Sequence, residues 1–270
     1  MSLRINTNIE AFNAHRQLEG TQGMLQKSME KLSSGLRINR AADDAAGLAI
    51  SEKMRAQING IAQAHQNSLD GISMVQTAEG ALNEVHAILQ RVRELAVEYN
   101  NGTLSSADRA AITVEITQLS AEVTRIVNTT QFNGIDLLSG SVPVTFQVGA
   151  NAGETIILSG ANLGGTYFDS VFNGTFTPIS ADITAIDNAV SAIADVRATF
   201  GAAQNRIEHT VSNLATYQEN LSAAESRIRD VDMASEMVNF TKLQILSQSG
   251  TAMLAQANSA PNNVLSLLKG

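Results

Sequence analysis

The sequence predicts a mainly α fold, with long antiparallel helices in coiled-coil-like packing and a small β-hairpin region in the middle. Three observations carry this expectation. Proline occurs only at 143, 178 and 261, apolar residues recur every seven positions in both halves, and period-two alternation is confined to one central stretch. Residues 1–142 and 179–260 are thus free of the strongest helix breaker and form two helical arms.

In the first arm, Ala11, Leu18, Leu25 and Leu32 repeat at seven-residue spacing, while Gly20, Gly23 and Gly35 weaken the helix. A longer helix follows. Met54, Ile61, Ser68, Val75, Leu82, Leu89 and Ala96 make one heptad row, and Ala64, Gly71, Ala78, Val85, Val92 and Tyr99 a second. Gly71 and Gly80 each cost about 1 kcal/mol relative to Ala inside a helix, so the stripe Ala64-Gly71-Ala78 points to a close helix approach. Asn100-Asn101-Gly102 supplies a turn. Ser105 and Asp108 then resemble a capping box, followed by Ile112, Ile116, Leu119, Val123 and Ile126 in steps of four and three.

The middle changes period. Val144, Phe146 and Val148 alternate with Thr145 and Gln147, the chain turns between Gly149 and Gly153, and Thr155–Leu158 resumes, as in a β-hairpin. From Ser159 to Pro178 the chain is rich in Gly, Thr, Asn and Phe and too short for a separate domain. The second arm carries the clearest repeat. Ile186, Ile193, Phe200, Ile207, Leu214, Leu221 and Ile228 form one row, with Ala189, Val196, Ala203, Thr210, Tyr217, Ala224 and Val231 three places later. At about 1.5 Å per residue, Ile183 to Val231 spans ~70 Å, nearly the length of its partner in the first arm.

Composition narrows the function. Only 16% of the 270 residues are charged, against roughly 25% in an average domain. A net charge of −8 without a Lys/Arg run argues against nucleic acid and anionic membranes. Cysteine is absent, so disulfides and zinc-thiolate sites are impossible. The opening MSLRINTNIEAF lacks the apolar core of a secretory signal, and no stretch reaches about 18 unbroken apolar residues; work outside the cell requires export without a cleaved signal.

The two ends are unusual. Between Val238 and Leu268 the only charged residue is Lys242. A face so poor in charge suits burial, and both termini read as segments ordered by packing against other copies, because assembly can offset the ordering entropy. The alternative is that the two arms pair within one monomer.

Six stretches then bring a family into view: SLRINTNIEAFNAHRQL, KLSSGLRINRAADDAAGLAISEKM, TQFNGIDLLSG, FQVGANAGETI, RIRDVDMASEMVNFTKLQIL and the ending NVLSLLKG. Together they closely resemble bacterial flagellin over residues 1–158 and about 179–270. The chain departs from the pattern in the middle, where many flagellins carry large outer domains and this one has some twenty residues, so it resembles a minimal form.

The resemblance implies a filament subunit for swimming motility, exported unfolded through the flagellar type III apparatus and polymerised at the distal tip. Residues 1–35 with 235–270 would form the inner-tube helices, 36–44 and 232–234 linkers, and 45–231 a rod-like core domain that includes the β-hairpin and short variable region at 141–178. Leu18, Leu25, Leu32, Leu265, Leu267 and Leu268 are the polymerisation candidates. Partners would be many further copies, the export apparatus and chaperone, and the hook-associated and cap proteins. No cofactor, metal, nucleic acid or membrane enters. A hook-filament junction protein, which resembles flagellin at its ends but caps the structure, is the alternative. A flagellin-like enzyme would need a catalytic insertion, for which the residues after Leu158 leave no room.

Two local readings complete the expectation. Asp43-Asp44 could be an acid/base or metal pair, but no converging polar cluster supports it, and Ala45 begins a helix whose free N–H groups favour carboxylates. His15, His65, His86 and His209 are scattered, and HExxH, GxxxxGK and GxSxG patterns are all absent. In Gln90–Val97, Val92 and Ala96 occupy heptad rows, which leaves Arg91, Arg93, Glu94 and Leu95 for another surface. Subunit packing is one use of that surface. By resemblance, Gln90, Arg91, Leu95 and Glu115 also match the flagellin site recognised by the vertebrate innate receptor Toll-like receptor 5, with Arg and an exposed Leu as anchors.

Overall fold

Hydrophobic rows at seven-residue spacing need a facing partner, and the long helices supply it. The computed structural model describes residues 7–140, 143–160, 163 and 180–269, with the side chains of all of these except 180–182 and 260–269. Its helices are α1 (Ile9–Ser34), α2 (Ala45–Tyr99), α3 (Ser106–Thr129), α4 (Ser180–Arg229) and α5 (Met233–Lys269). Its strands are β1 (Gln131–Phe132), β2 (Ile135–Asp136), β3 (Val144–Gln147) and β4 (Thr155–Leu158). The expected mainly α class is what the chain adopts. The chain divides into two compact units, residues 57–219 and residues 1–56 with 220–270.

In the unit of residues 57–219 both predicted seams are buried. Val75, Leu82 and Leu89 pack in one core with Val85 and Val92 from α2, with Ile186, Ile193 and Phe200 from α4, and with Ile116 and Val123 from α3. Ser68 occupies its heptad slot without an unpaired hydroxyl, because Oγ donates to the carbonyl of Ala64 at 2.7 Å. The seam fades toward Tyr217, which is exposed. At the start of α3 the capping box forms as expected: Ser105 Oγ accepts from the Asp108 N–H, and the Asp108 carboxylate accepts from the Ser105 N–H.

The hairpin pairs β3 and β4 antiparallel, with Phe146 opposite Ile156 and Val144 opposite Leu158. The close approach at the small-residue stripe is made by this hairpin, which corrects the expected helix contact. A Cβ on Gly71 would lie 3.3 Å from the Phe146 ring, and one on Gly60 would lie 3.0 Å from Ala150 in the hairpin turn. Glycine therefore lets a sheet face sit down on α2. Gly80 has nothing within 4 Å of such a Cβ, and the structure gives no packing reason for it.

A second, smaller hairpin joins β1 and β2 through Asn133 and Gly134, whose φ angles of 49° and 78° suit a two-residue primed turn. No expectation from the sequence covers this hairpin, although the Asn-Gly pair inside TQFNGIDLLSG is a local signal for such a turn. Downstream, the N–H of Leu163 donates to the carbonyl of Leu138 at 3.0 Å, and both side chains are buried.

In the unit of residues 1–56 and 220–270, α1 and α5 lie antiparallel. Asn8 Nδ2 donates to the Ala257 carbonyl at 2.7 Å, Leu18 lies under Gly250, and Ser28 Oγ donates to Glu236. Partner numbers fall as those on α1 rise. The arms thus pair within one chain, which corrects the expectation that they wait for other copies to find a partner. Nearby, the N–H of Arg37 donates to the Arg229 carbonyl at 2.6 Å and that of Val231 to the Gly35 carbonyl at 3.0 Å. Arg229 also pairs with Glu52, and Arg55 with Glu225 at 3.4 Å, crossing between α2 and α4.

Candidate interaction surfaces

Pairing α1 with α5 consumes one stripe of each helix and leaves several large apolar side chains of both uncovered. On α1, Ile9, Phe12, Met24 and Met29 are exposed, with Phe12 at 70%. On α5, Met233, Met237, Val238, Ile245, Leu246 and Met253 are exposed, with Val238 at 69%. Met237, Val238, Thr241, Lys242, Ile245 and Leu246 line a shallow groove whose only charged group is Lys242. An isolated soluble protein scatters such residues singly, so a run along two paired helices marks a binding surface.

The polymerisation candidates on α1 are only partly accessible in the single chain. Leu18, Leu25 and Leu32 are half-buried within the chain, and Leu18 Cδ1 would lie 3.2 Å from a Cβ on Gly250. Leu18 of that row faces α5, and a regular seven-residue spacing marks the stripe facing a partner helix. Phe12, Met24 and Met29 lie off that row. The signal for them was apolar residues on more than one face of a helix. Leu265, Leu267 and Leu268 lie outside the described side chains.

The Arg91 site is an exposed ionic cluster. Arg91 Nε and Nη2 donate to Glu115 Oε1 at 3.1 and 3.0 Å, and Nη1 donates to Glu94 Oε2 at 3.3 Å. These carboxylates, Glu115 foremost, hold the guanidinium above its ordinary pKa. Gln90 is exposed and its amide lies 2.9 Å from His86 Nε2. Arg93 donates to Asp187 at 2.6 Å. Three of the four receptor candidates therefore share one surface. Leu95 does not: it is 2% exposed and packs in the core with Val92 and Ile116. Its expected role as an exposed anchor is corrected, because α3 covers this end of α2 as well as α4 and widens the buried face beyond two heptad rows.

Asp43 and Asp44 do local structural work. Asp44 Oδ1 accepts from the Gly47 N–H at 2.8 Å, capping α2, while Asp43 Oδ2 accepts from the N–H groups of Arg40 at 3.1 Å and Asn39 at 3.3 Å. The Arg40 N–H is the main cause of the lowered Asp43 pKa, with Lys27 and Lys31 adding to it. Among the described residues no group of three or more His, Cys, Asp or Glu is placed to hold a metal, and no helix is long and apolar enough to cross a membrane.

Long paired helices, a minimal β region and an uncovered apolar face on the terminal helices define an assembly subunit. Two family models match the chain: the bacterial flagellin N-terminal helical region over residues 5–142 and the bacterial flagellin C-terminal helical region over residues 183–268. The chain is 54% identical over 270 residues to a flagellin of Halalkalibacterium halodurans, covering 98% of this chain and 99% of that one. It is 48% identical over 304 residues to a flagellin of Bacillus subtilis, covering 99% and 100%. To the flagellar filament 33 kDa core protein of Treponema phagedenis it is 48% identical over 285 residues, covering 98% and 99%. The chain belongs to the bacterial flagellin family, and it is a structural protein, not an enzyme.

Proposed function

We propose that this flagellin is the repeating subunit of a flagellar filament and that copies pack through the uncovered apolar faces of α1 and α5. The observation that carries this reading is the exposed series from Phe12 to Met29 and from Met233 to Met253, on a helix pair whose C-terminal member has Lys242 as its only charge between Val238 and Leu268. Burying apolar area yields about 25 cal/mol per Å², and a surface with few charges loses little to desolvation. Residues 1–35 and 235–270 then form the inner tube, 36–44 and 232–234 the linkers, and 45–231 the surrounding rod with its hairpin region at 141–178.

The same reading places the subunit outside the cell, delivered by the flagellar export apparatus with a chaperone and meeting hook-associated and cap proteins at the ends of the filament. Toll-like receptor 5 is a further partner, through Gln90, Arg91 and Glu115. Electron microscopy of the purified chain after seeding with short filament fragments tests the assembly role. The intact chain should yield long uniform filaments and a chain lacking residues 236–270 none. Binding to filament ends without growth would overturn the reading in favour of a junction protein.

A further inference from the structure

Sulfur is distributed in this chain in a way that packing alone does not require. There are eight methionines and no cysteine, so thioethers are the only oxidisable sulfur groups. Met24 and Met29 on α1, and Met233, Met237 and Met253 on α5, are between 48% and 63% exposed. Met74, by contrast, is 4% exposed in the core of the other unit. Leucine would provide the same apolar bulk at the five exposed positions without reactivity.

We propose that these five methionines are oxidation sites that switch off assembly of the free subunit, the reagent being hydrogen peroxide or a related peroxide. This inference rests on the assembly role of the α1 and α5 faces. The thioether sulfur attacks the terminal peroxide oxygen; the O–O bond breaks as the S–O bond forms. Sulfur is oxidised by two electrons to the sulfoxide; the proton on the transferred oxygen passes to the departing oxygen, which leaves as water from hydrogen peroxide or as an alcohol from an organic peroxide. The product is polar and chiral where the interface needs an apolar group. Burying its new acceptor oxygen against the apolar side chains of a neighbouring copy, beside Val238, Ile245 and Leu246, costs free energy at every position that Thr241 or Lys242 does not reach with a donor. A subunit already in a filament has these sulfurs covered, so the modification acts on subunits before they join. Methionine sulfoxide reductases reverse it.

The test uses the full chain, with hydrogen peroxide as the probe. Seeded elongation is followed for untreated subunits, peroxide-treated subunits, treated subunits after reductase, and, both with and without peroxide, subunits carrying Met24→Leu, Met29→Leu, Met233→Leu, Met237→Leu and Met253→Leu. Site-resolved mass spectrometry accompanies each sample. The five exposed methionines should oxidise before Met74, and preformed filaments should protect them. Treated subunits should elongate at least about tenfold more slowly, a factor that one unsatisfied buried polar group suffices to produce. Reductase should restore the rate, and the five-leucine variant should elongate at the same rate with and without peroxide, whatever that rate is beside the parent chain. Unimpaired elongation of oxidised subunits, or equal loss in the leucine variant, would overturn the proposal. Failure of untreated subunits to elongate would instead remove the assembly reading beneath it.

Discussion

The side-chain amide of Asn8 donates to the backbone carbonyl of Ala257 at 2.7 Å, across the pair formed by α1 and α5. In a regular helix that carbonyl would accept from the N–H four residues on, at position 261, which is proline. Helix α5 continues through Pro261 to Lys269, and the carbonyl freed by the proline is taken by the opposite arm. Asn8 meanwhile caps α1, its Oδ1 accepting from the Ala11 N–H at 3.1 Å. One side chain therefore starts one helix and satisfies the interruption in the other.

A double-mutant cycle isolates that link. Asn8→Ala should destabilise the arm pair by about 1–3 kcal/mol through the lost cap and the unsatisfied carbonyl. In a Pro261→Ala background the restored N–H satisfies Ala257, and the same change should cost only the cap. Hydrogen exchange of the arm amides reads both values. Equal costs in the two backgrounds would show that Asn8 does not serve the proline gap.

Leu95 and Arg91 should separate under mutation. Leu95→Ala should cost about 2–5 kcal/mol of stability in the unit of residues 57–219, as expected for a truncated core leucine. Arg91→Ala loses only exposed ion pairs with Glu94 and Glu115, which solvent screens, and should leave stability nearly unchanged. Receptor signalling by the monomer should fall roughly fivefold or more for Arg91→Ala if the guanidinium is an anchor. Thermal unfolding beside a reporter-cell assay distinguishes folding from recognition, and unchanged signalling removes the receptor assignment.

Charge introduced on the uncovered face should act on assembly and spare the subunit. Phe12→Asp and Val238→Asp change exposed positions and should alter monomer stability by only about 0.5 kcal/mol, yet each would bury an unpaired carboxylate between copies. Leu18→Asp should instead disrupt the α1–α5 seam of the monomer. Leu265→Asp, Leu267→Asp and Leu268→Asp together should abolish filaments while leaving residues 57–219 folded. Circular dichroism melting and sedimentation of seeded samples check all of these; normal filaments from Val238→Asp would exclude that face.

The capping box predicts an acid response. Hydrogen bonds from Ser105 lower the Asp108 pKa below its ordinary 3.8. A depressed carboxylate contributes stability that is present above 3.8 and lost as pH falls through the lower folded value. Asp108→Ala should therefore be less stable than the parent chain at neutral pH, with the difference shrinking as pH falls below 3.8 and through the lower folded value. A difference that stays constant down to pH 2 would exclude the carboxylate as the source.

Much of the unit of residues 57–219 was legible because its information is local and periodic. The rows through Val75, Leu82 and Leu89 and through Ile186, Ile193 and Phe200 state their own partner, and Ser105 with Asp108 states where α3 begins. Leu95 was misread because two heptad rows describe a helix with one neighbour, and this end of α2 has two. The seam at Leu18 was legible as a stripe, but spacing cannot say whether the partner helix belongs to the same chain. Asn8 and Ala257 are 249 positions apart, and no local pattern joins a polar side chain to a carbonyl that a distant proline has freed.

Electron cryomicroscopy of filaments grown from this chain tests the assembly surface most directly. Among the described residues, ten large apolar side chains are exposed on α1 and α5 of the single subunit, from Ile9 to Met29 and from Met233 to Met253. Most of them should be buried against neighbouring copies, with Phe12 and Val238 among those covered and the α1–α5 pairing retained. A filament in which these side chains remain in solvent, and copies meet only through residues 57–219, would contradict the assigned role of the arms.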